Sequence, residues 1–293
     1  MQMDGGALRT RFRAQTILNA LLMRDSPKVE VLLRGGLGNQ LFGMSTGFAL
    51  ARRLGLGLAL QSGEFGPNRV NHFLEVRPNL PSFIEISEGV TTNRYFQEKG
   101  FRYDSRIETV DGAVLLDGYF QSSKYFSAYR TEISELIRNF PSFNQGLVSG
   151  QETSVIGLQY RRGDYTLESA RNFHGLLSDH YFIEAVSLVR KLVGDLPVVI
   201  HSDDSRLAEK LSLEISNSEV FYAASGRSVW EVLGWLSACR AQIISNSTFG
   251  WWAAFLGGAE NTVVAPRPWF RSHQMDTQDL LEKGWLTLGW TPG

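Results

Sequence analysis

The chain has 293 residues, and its 29 Lys plus Arg against 30 Asp plus Glu leave a formal net charge of −1 with the five His neutral. That balance argues against a nucleic-acid binder, which gathers a basic excess on one face. Hydrophobic residues at 43% and charged residues at 20% exclude disorder as the main state, and the single cysteine, Cys239, excludes an intrachain disulfide and a cysteine-cluster zinc site.

Residues 1–28 read as an N-terminal extension. Arg9, Arg11 and Arg13 precede the apolar run 17–23, but Arg24-Asp25-Ser26-Pro27 stands where a signal peptide has small residues. No stretch approaches the ~18–20 consecutive apolar residues of a membrane span. The basic and apolar residues of the extension suit at most a weak peripheral membrane contact. The aliphatic run 29–33 then predicts a strand, Arg34-Gly35-Gly36-Leu37-Gly38-Asn39-Gln40 a glycine-rich turn, and 41–54 a helix. A polar stretch with two glycines, 144–153, is the natural linker, which places a boundary near residue 150. Beyond it, 155–160 predicts a buried strand ending in Arg161-Arg162-Gly163-Asp164, followed by a helix over 180–192. A strand over 197–201 ends in Ser202-Asp203-Asp204, with helices over 205–213 and 229–238 after it. A short strand over 242–244 leads into Ser245-Asn246-Ser247-Thr248, which caps a helix over 249–256. Strands alternating with helices, with polar residues just past the strand ends, indicate a doubly wound parallel sheet whose ligand lies beyond the carboxyl ends. The units are therefore the extension 1–28, a domain over 29–150 and a second over 151–293.

The turn containing Gly36, Gly38, Asn39 and Gln40 lets backbone approach a phosphate or sugar, and its two carboxamides suit sugar hydroxyls. A plain strand-to-helix turn is the alternative. Of the two arginines past the 155–160 strand, alternation lets one meet a ligand while the other pairs with Asp164 or another carboxylate. A surface ion-pair cluster is the alternative. Asp203 and Asp204 are adjacent, so they diverge: one caps the next helix, the other faces the crevice. The chain contains no Asp-x-Asp, so arginine and backbone N–H groups, without a metal, are expected to neutralise phosphates. His174 stands next to Gly175 in a loop after the arginines. The aromatic runs around Tyr119-Phe120-Gln121 and at Trp251-Trp252 fit either core or sugar-stacking faces.

Six segments occur in order: Gly35-Gly36-Leu37-Gly38-Asn39-Gln40-Leu41-Phe42, Gly118-Tyr119-Phe120-Gln121-Ser122-Ser123-Lys124-Tyr125-Phe126, Arg161-Arg162-Gly163-Asp164-Tyr165, His174-Gly175, Ser202-Asp203-Asp204, and 245–254. The series resembles bacterial alpha-1,2-fucosyltransferases of glycosyltransferase family 11, from about residue 30 onward. The resemblance implies two Rossmann-like α/β domains facing a cleft in the GT-B manner, with the nucleotide-sugar in the C-terminal half and the glycan acceptor mainly in the N-terminal half. It implies inverting, metal-independent transfer of fucose from GDP-fucose to a galactose hydroxyl, with no cofactor beyond the donor. Arg161 would bind the donor's β-phosphate, Ser247, Thr248 and Phe249 the nucleotide's other side, and Asn39 the reacting centre. Tyr119 and Gln121 fall on the acceptor side. His174 is the first choice for the base, with Asp164 and Glu168 as alternatives.

Two positions depart from the family pattern. Gln159 stands where the family commonly has His, and Val232, with Glu231 beside it, where it commonly has Asp. Both positions help read guanine in related enzymes, so Gln159 and Glu231 are the candidates for that task here. Another nucleotide-sugar on the same scaffold and a non-catalytic carbohydrate-binding relative are the rival functions. The expected location is the cytoplasm, with the inner membrane face and a lipid-linked acceptor as a finer alternative.

Overall fold

The computed structural model describes residues 26–62, 70–151, 154–221, 227–258, 260–272 and 275–290, without the side chains of 149–151. The basic and apolar groups of the extension lie outside the described residues. In chain order, the first half contains β1 (Lys28–Leu32), α1 (Leu37–Leu54), β2 (Gly57–Gln61), α2 (Phe73–Val76), β3 (Ile84–Ser87), β4 (Tyr95–Gln97), β5 (Val114–Asp117), α3 (Arg130–Arg138) and α4 (Pro141–Gln151). Its five strands are all parallel, in the order β3-β2-β1-β5-β4.

The second half contains β6 (Ile156–Tyr160), α5 (Glu168–His174), α6 (Asp179–Val193), β7 (Val198–Ser202), α7 (Ser205–Glu214), β8 (Ser218–Phe221), α8 (Val229–Ala238), β9 (Ala241–Ile243), α9 (Thr248–Leu256), β10 (Thr262–Arg267) and β11 (Leu286–Gly289). Its six parallel strands follow the order β11-β10-β9-β6-β7-β8. β6 is buried at all five positions, as expected of a central strand covered on both faces.

The helix after the glycine-rich turn starts earlier than expected, at Leu37 instead of residue 41. Gly35, at φ +67°, makes the turn and extended Gly36 is the N-cap, so Gly38, Asn39 and Gln40 belong to the first turns of α1. The expected linker is also different, because residues 141–151 form α4. Its glycine content serves packing: a Cβ at Gly146 would run into the Glu231 carbonyl of α8, and one at Gly234 of α8 into the Phe143 carbonyl of α4. Each helix places a glycine against the other's backbone, so the two helices pack closely.

One apolar cluster runs through both halves. Phe42 of α1 packs its ring 4.5 Å from Trp251 and 5.2 Å from Trp252 of α9, and Phe126 stacks on Trp252 at 5.6 Å. Trp251 and Trp252 are fully buried, so the pair is core and does not face a sugar. Cys239, at the C-cap of α8, is buried against Gly157 of β6, and burial pushes its thiol up to about 12.

Candidate active site

The carboxyl ends of the two sheets face one cleft of about 910 Å³ lined by residues of both halves. Open parallel sheets place ligands there, because strand ends and helix N-termini converge on it. Here two N-termini meet directly: a Cβ on Gly38 of α1 would lie 2.5 Å from the Thr248 carbonyl carbon and 2.6 Å from the Phe249 nitrogen of α9. Neither N-cap, Gly36 nor Ser247, makes a side-chain capping bond. The expected Ser-Asn-Ser-Thr cap therefore makes no side-chain capping bond, and the N-terminal residues of both helices line the cleft. The positive ends of two helix dipoles make this wall receptive to an anion.

Arg161 reaches the cleft from the end of β6, one-third exposed. Its guanidinium touches Asp164 at 2.5 Å and Asp203 at 2.8 Å, while its Nε is buried without a hydrogen-bond partner among the described residues. Arg162 turns the other way, bonding Asp179 at 2.9 Å with its guanidinium carbon 3.6 Å from the centre of the Tyr160 ring. Asp204 caps α7 by accepting the Leu207 N–H at 3.0 Å, and Asp203 accepts the Arg162 backbone N–H at 2.8 Å. Gly163, at φ +20°, leaves the room that the Asp203 carboxylate fills. Asp203 is thus built into the wall, whereas Asp164 is held, among the described residues, by Arg161 alone.

Gln159 lies at the floor of the cleft, its Oε1 accepting the Ser245 N–H at 3.2 Å. His201, its register partner on β7, also lines the cleft with its Nδ1 buried and without a hydrogen-bond partner among the described residues, and burial lowers its pKa to about 4. Val232, Ser247, Thr248 and Phe249 line the same side. Glu231 does not line the cleft; its carboxylate holds the Nε of Arg227 at 3.2 Å, and Arg227 lines it instead.

Across the cleft, Gln121 donates to Asn39 Oδ1 at 3.0 Å, and its own Oε1 is buried without a hydrogen-bond partner among the described residues. Gln40 is absent from this surface. It is fully buried and its carboxamide bonds Gly35 O, Val70 O and His72 N, so it braces the turn and does not meet a sugar. Tyr119 and Gln121 flank Phe120, whose φ of +52° is strained for a bulky residue. The Glu98 carboxylate holds that strain by accepting the N–H groups of Tyr119 and Phe120, each at 2.8 Å, and burial raises its pKa. Tyr119 stacks on Phe101, Phe101 meets Phe270 at 5.0 Å, and Phe270 meets Phe173 and His174. The His174 ring stacks on Tyr165 at 4.6 Å, and Asn246 fixes its loop by donating to the carbonyls of His174 and Gly175. An aromatic wall thus crosses from one half to the other, passing His174.

His72, Glu98, Phe101, Arg227, Trp269 and Phe270 carry no local motif and enter the site only through the fold. Among the described residues, no group of three or more His, Cys, Asp or Glu side chains could hold a metal ion. No helix among them is long and apolar enough to cross a membrane.

The arrangement has known counterparts. The alpha-1,2-colitosyltransferase of Escherichia coli is 28% identical over 89% of this chain and 98% of its own length. The galactoside 2-alpha-L-fucosyltransferase Sec1 of Mus musculus is 27% identical over 80% of this chain and 66% of its own. Among solved structures, the fucosyltransferase NodZ from Bradyrhizobium aligns with a TM-score of 0.50 at 14% identity, covering 78% of this chain and 94% of that one, which supports the two-sheet GT-B architecture. The family model for glycosyl transferase family 11 matches residues 2–289, running through the extension as well as both sheets, and on that match the chain belongs to glycosyltransferase family 11.

Proposed function

We propose that the protein transfers L-fucose from GDP-fucose to a galactose hydroxyl of a glycan, forming an alpha-1,2 linkage with inversion. Residues 151–293 would hold the donor and 29–150 the acceptor. The observation that carries this reading is Arg161, held by Asp164 and Asp203 at the mouth of β6 opposite the joined N-termini of α1 and α9. A diphosphate between them meets one guanidinium and two sets of N–H donors, so departing charge is met without requiring a metal ion. The donor would replace the more exposed Asp164 and leave Asp203 in place.

The acceptor would lie along Tyr119, beside Gln121 and the Asn39 side chain that Gln121 holds. In a single displacement, the hydroxyl attacks the anomeric carbon, its proton passes to a base, and the C–O bond to GDP breaks. His174 is our choice for that base and Asp164 the alternative. Near-wild-type turnover in His174→Ala would remove it from the role. The nucleotide-sugar and the bacterial relatives fit action in the cytoplasm, and a lipid-linked acceptor at the inner membrane face is the finer form of this reading.

A thermal-shift series with GDP, UDP, CDP and dTDP tests the donor. Selective stabilisation by GDP is expected, and its absence would end the GDP-fucose reading. The colitosyltransferase relative favours a second reading, in which the same scaffold transfers another sugar. Donor-competition assays with different sugars on one nucleotide separate the two.

A further inference from the structure

We infer that Arg227 reads the guanine base of the donor on its O6/N7 edge, an inference that rests on the guanine-nucleotide reading above. Arg161 and Arg227 are the two arginines lining the cleft among the described residues. Arg161 stands past β6, and Arg227 follows β8, with β7 between them in the sheet. Two interstrand spacings separate β6 from β8 by about 10 Å, room for a ribose and base once the diphosphate is on Arg161. His201, Val229 and Val232 line the interval.

Arg227 is preorganised. Its Nε is held by Glu231 at 3.2 Å, and its guanidinium lies 5.1 Å from the centre of the Phe221 ring, itself stacked on Trp235 at 4.4 Å. That leaves both terminal nitrogens without a hydrogen-bond partner among the described residues, in the planar fork suited to two adjacent acceptors. Guanine presents such a pair, N7 and O6, whereas adenine sets an amino donor beside N7. The opposite edge of guanine, with N1–H and the 2-amino group, calls for a carboxylate acceptor. Among the described residues, the carboxylates lining the cleft are Asp164 and Asp203, and both stand beside Arg161, on the diphosphate side. The base is therefore met by a donor fork and not by an acid.

Calorimetric titration of the wild-type protein with GDP, IDP and 7-deaza-GDP tests this without any risk to folding. IDP keeps O6 and N7 and lacks only the 2-amino group, so its Kd should stay within about threefold of that of GDP. Replacing N7 by C–H should weaken binding about tenfold, the lower range of a lost bidentate contact. In Arg227→Lys, GDP should bind more weakly and the difference between GDP and 7-deaza-GDP should vanish. A strong loss with IDP and none with 7-deaza-GDP would overturn the inference while leaving the guanine reading intact. Failure of GDP to bind in preference to UDP, CDP and dTDP would instead overturn the guanine reading, and the inference with it.

Discussion

At the scale of single residues, the cleft is organised around charge that is paired before a ligand arrives. Arg161 carries two carboxylates, so a diphosphate must displace one of them, and Asp164, held among the described residues by Arg161 alone, is the one to leave. Arg161→Ala is expected to lower kcat by about 10²–10³-fold, the scale of losing one preorganised charge at a developing anion. The fold should survive, since the side chain is one-third exposed; circular dichroism with steady-state kinetics checks both. His201 makes a different prediction. Burial lowers its pKa from 6.5 to about 4, so between those values the unfolded chain binds a proton that the folded chain refuses. Its contribution to stability is complete above pH 6.5 and is lost as pH falls toward 4, by as much as ~3 kcal/mol. Urea denaturation of wild type and His201→Gln from pH 4 to 7 should show a shallower slope in the variant; parallel slopes would contradict the buried neutral imidazole.

At the scale of elements, the contact between the N-termini of α1 and α9 depends on one missing methyl group. Alanine at position 38 would press on the Thr248 and Phe249 backbone, which cannot swing aside as a side chain can, whereas a Cβ on Gly36 meets nothing within 4 Å. Gly38→Ala is expected to lower kcat/KM by about 10²-fold through misplacement of the anion wall. Gly36→Ala should stay within a few-fold of wild type, and equal losses in both variants would refute the steric account. The sequence announces this junction only in part. Strand ends, the glycine turn and the arginine motif are local patterns, so β1, β6, β7 and β9 and the residues just past them were legible. Helix α4 was not, because Gly146 and its polar neighbours read as a loop until α8 is seen to require a flat surface there. Gln40 was misread for a similar reason: a carboxamide looks alike in sequence whether it faces a sugar or three backbone groups. Arg227, Phe101 and Phe270 come to the cleft from distant segments, and no spacing rule connects them.

At the scale of the whole molecule, the near-zero net charge and the cross-half core belong together. Positive charge is needed only locally, so the rest of the chain can balance its charges in pairs, as basic residues of the first half do with acidic residues of the second: Lys124 with Asp279 at 2.6 Å and Arg130 with Glu282 at 2.6 Å. Exposed pairs of this kind contribute little. Cohesion between the halves comes from Phe42 and Phe126 against Trp251 and Trp252, and from the glycine contact of α4 with α8. Two sheets joined by a common apolar cluster, with a second cluster confined to the second half, should not unfold separately. We therefore expect one cooperative transition, with tryptophan fluorescence and far-ultraviolet dichroism giving the same midpoint. Trp252→Ala, at a fully buried site on the shared core, should lower stability by about 3–5 kcal/mol while keeping the transition single. If the variant instead unfolded in two steps, with nucleotide raising only the second midpoint, the halves would be independent domains and the shared core merely a contact between them.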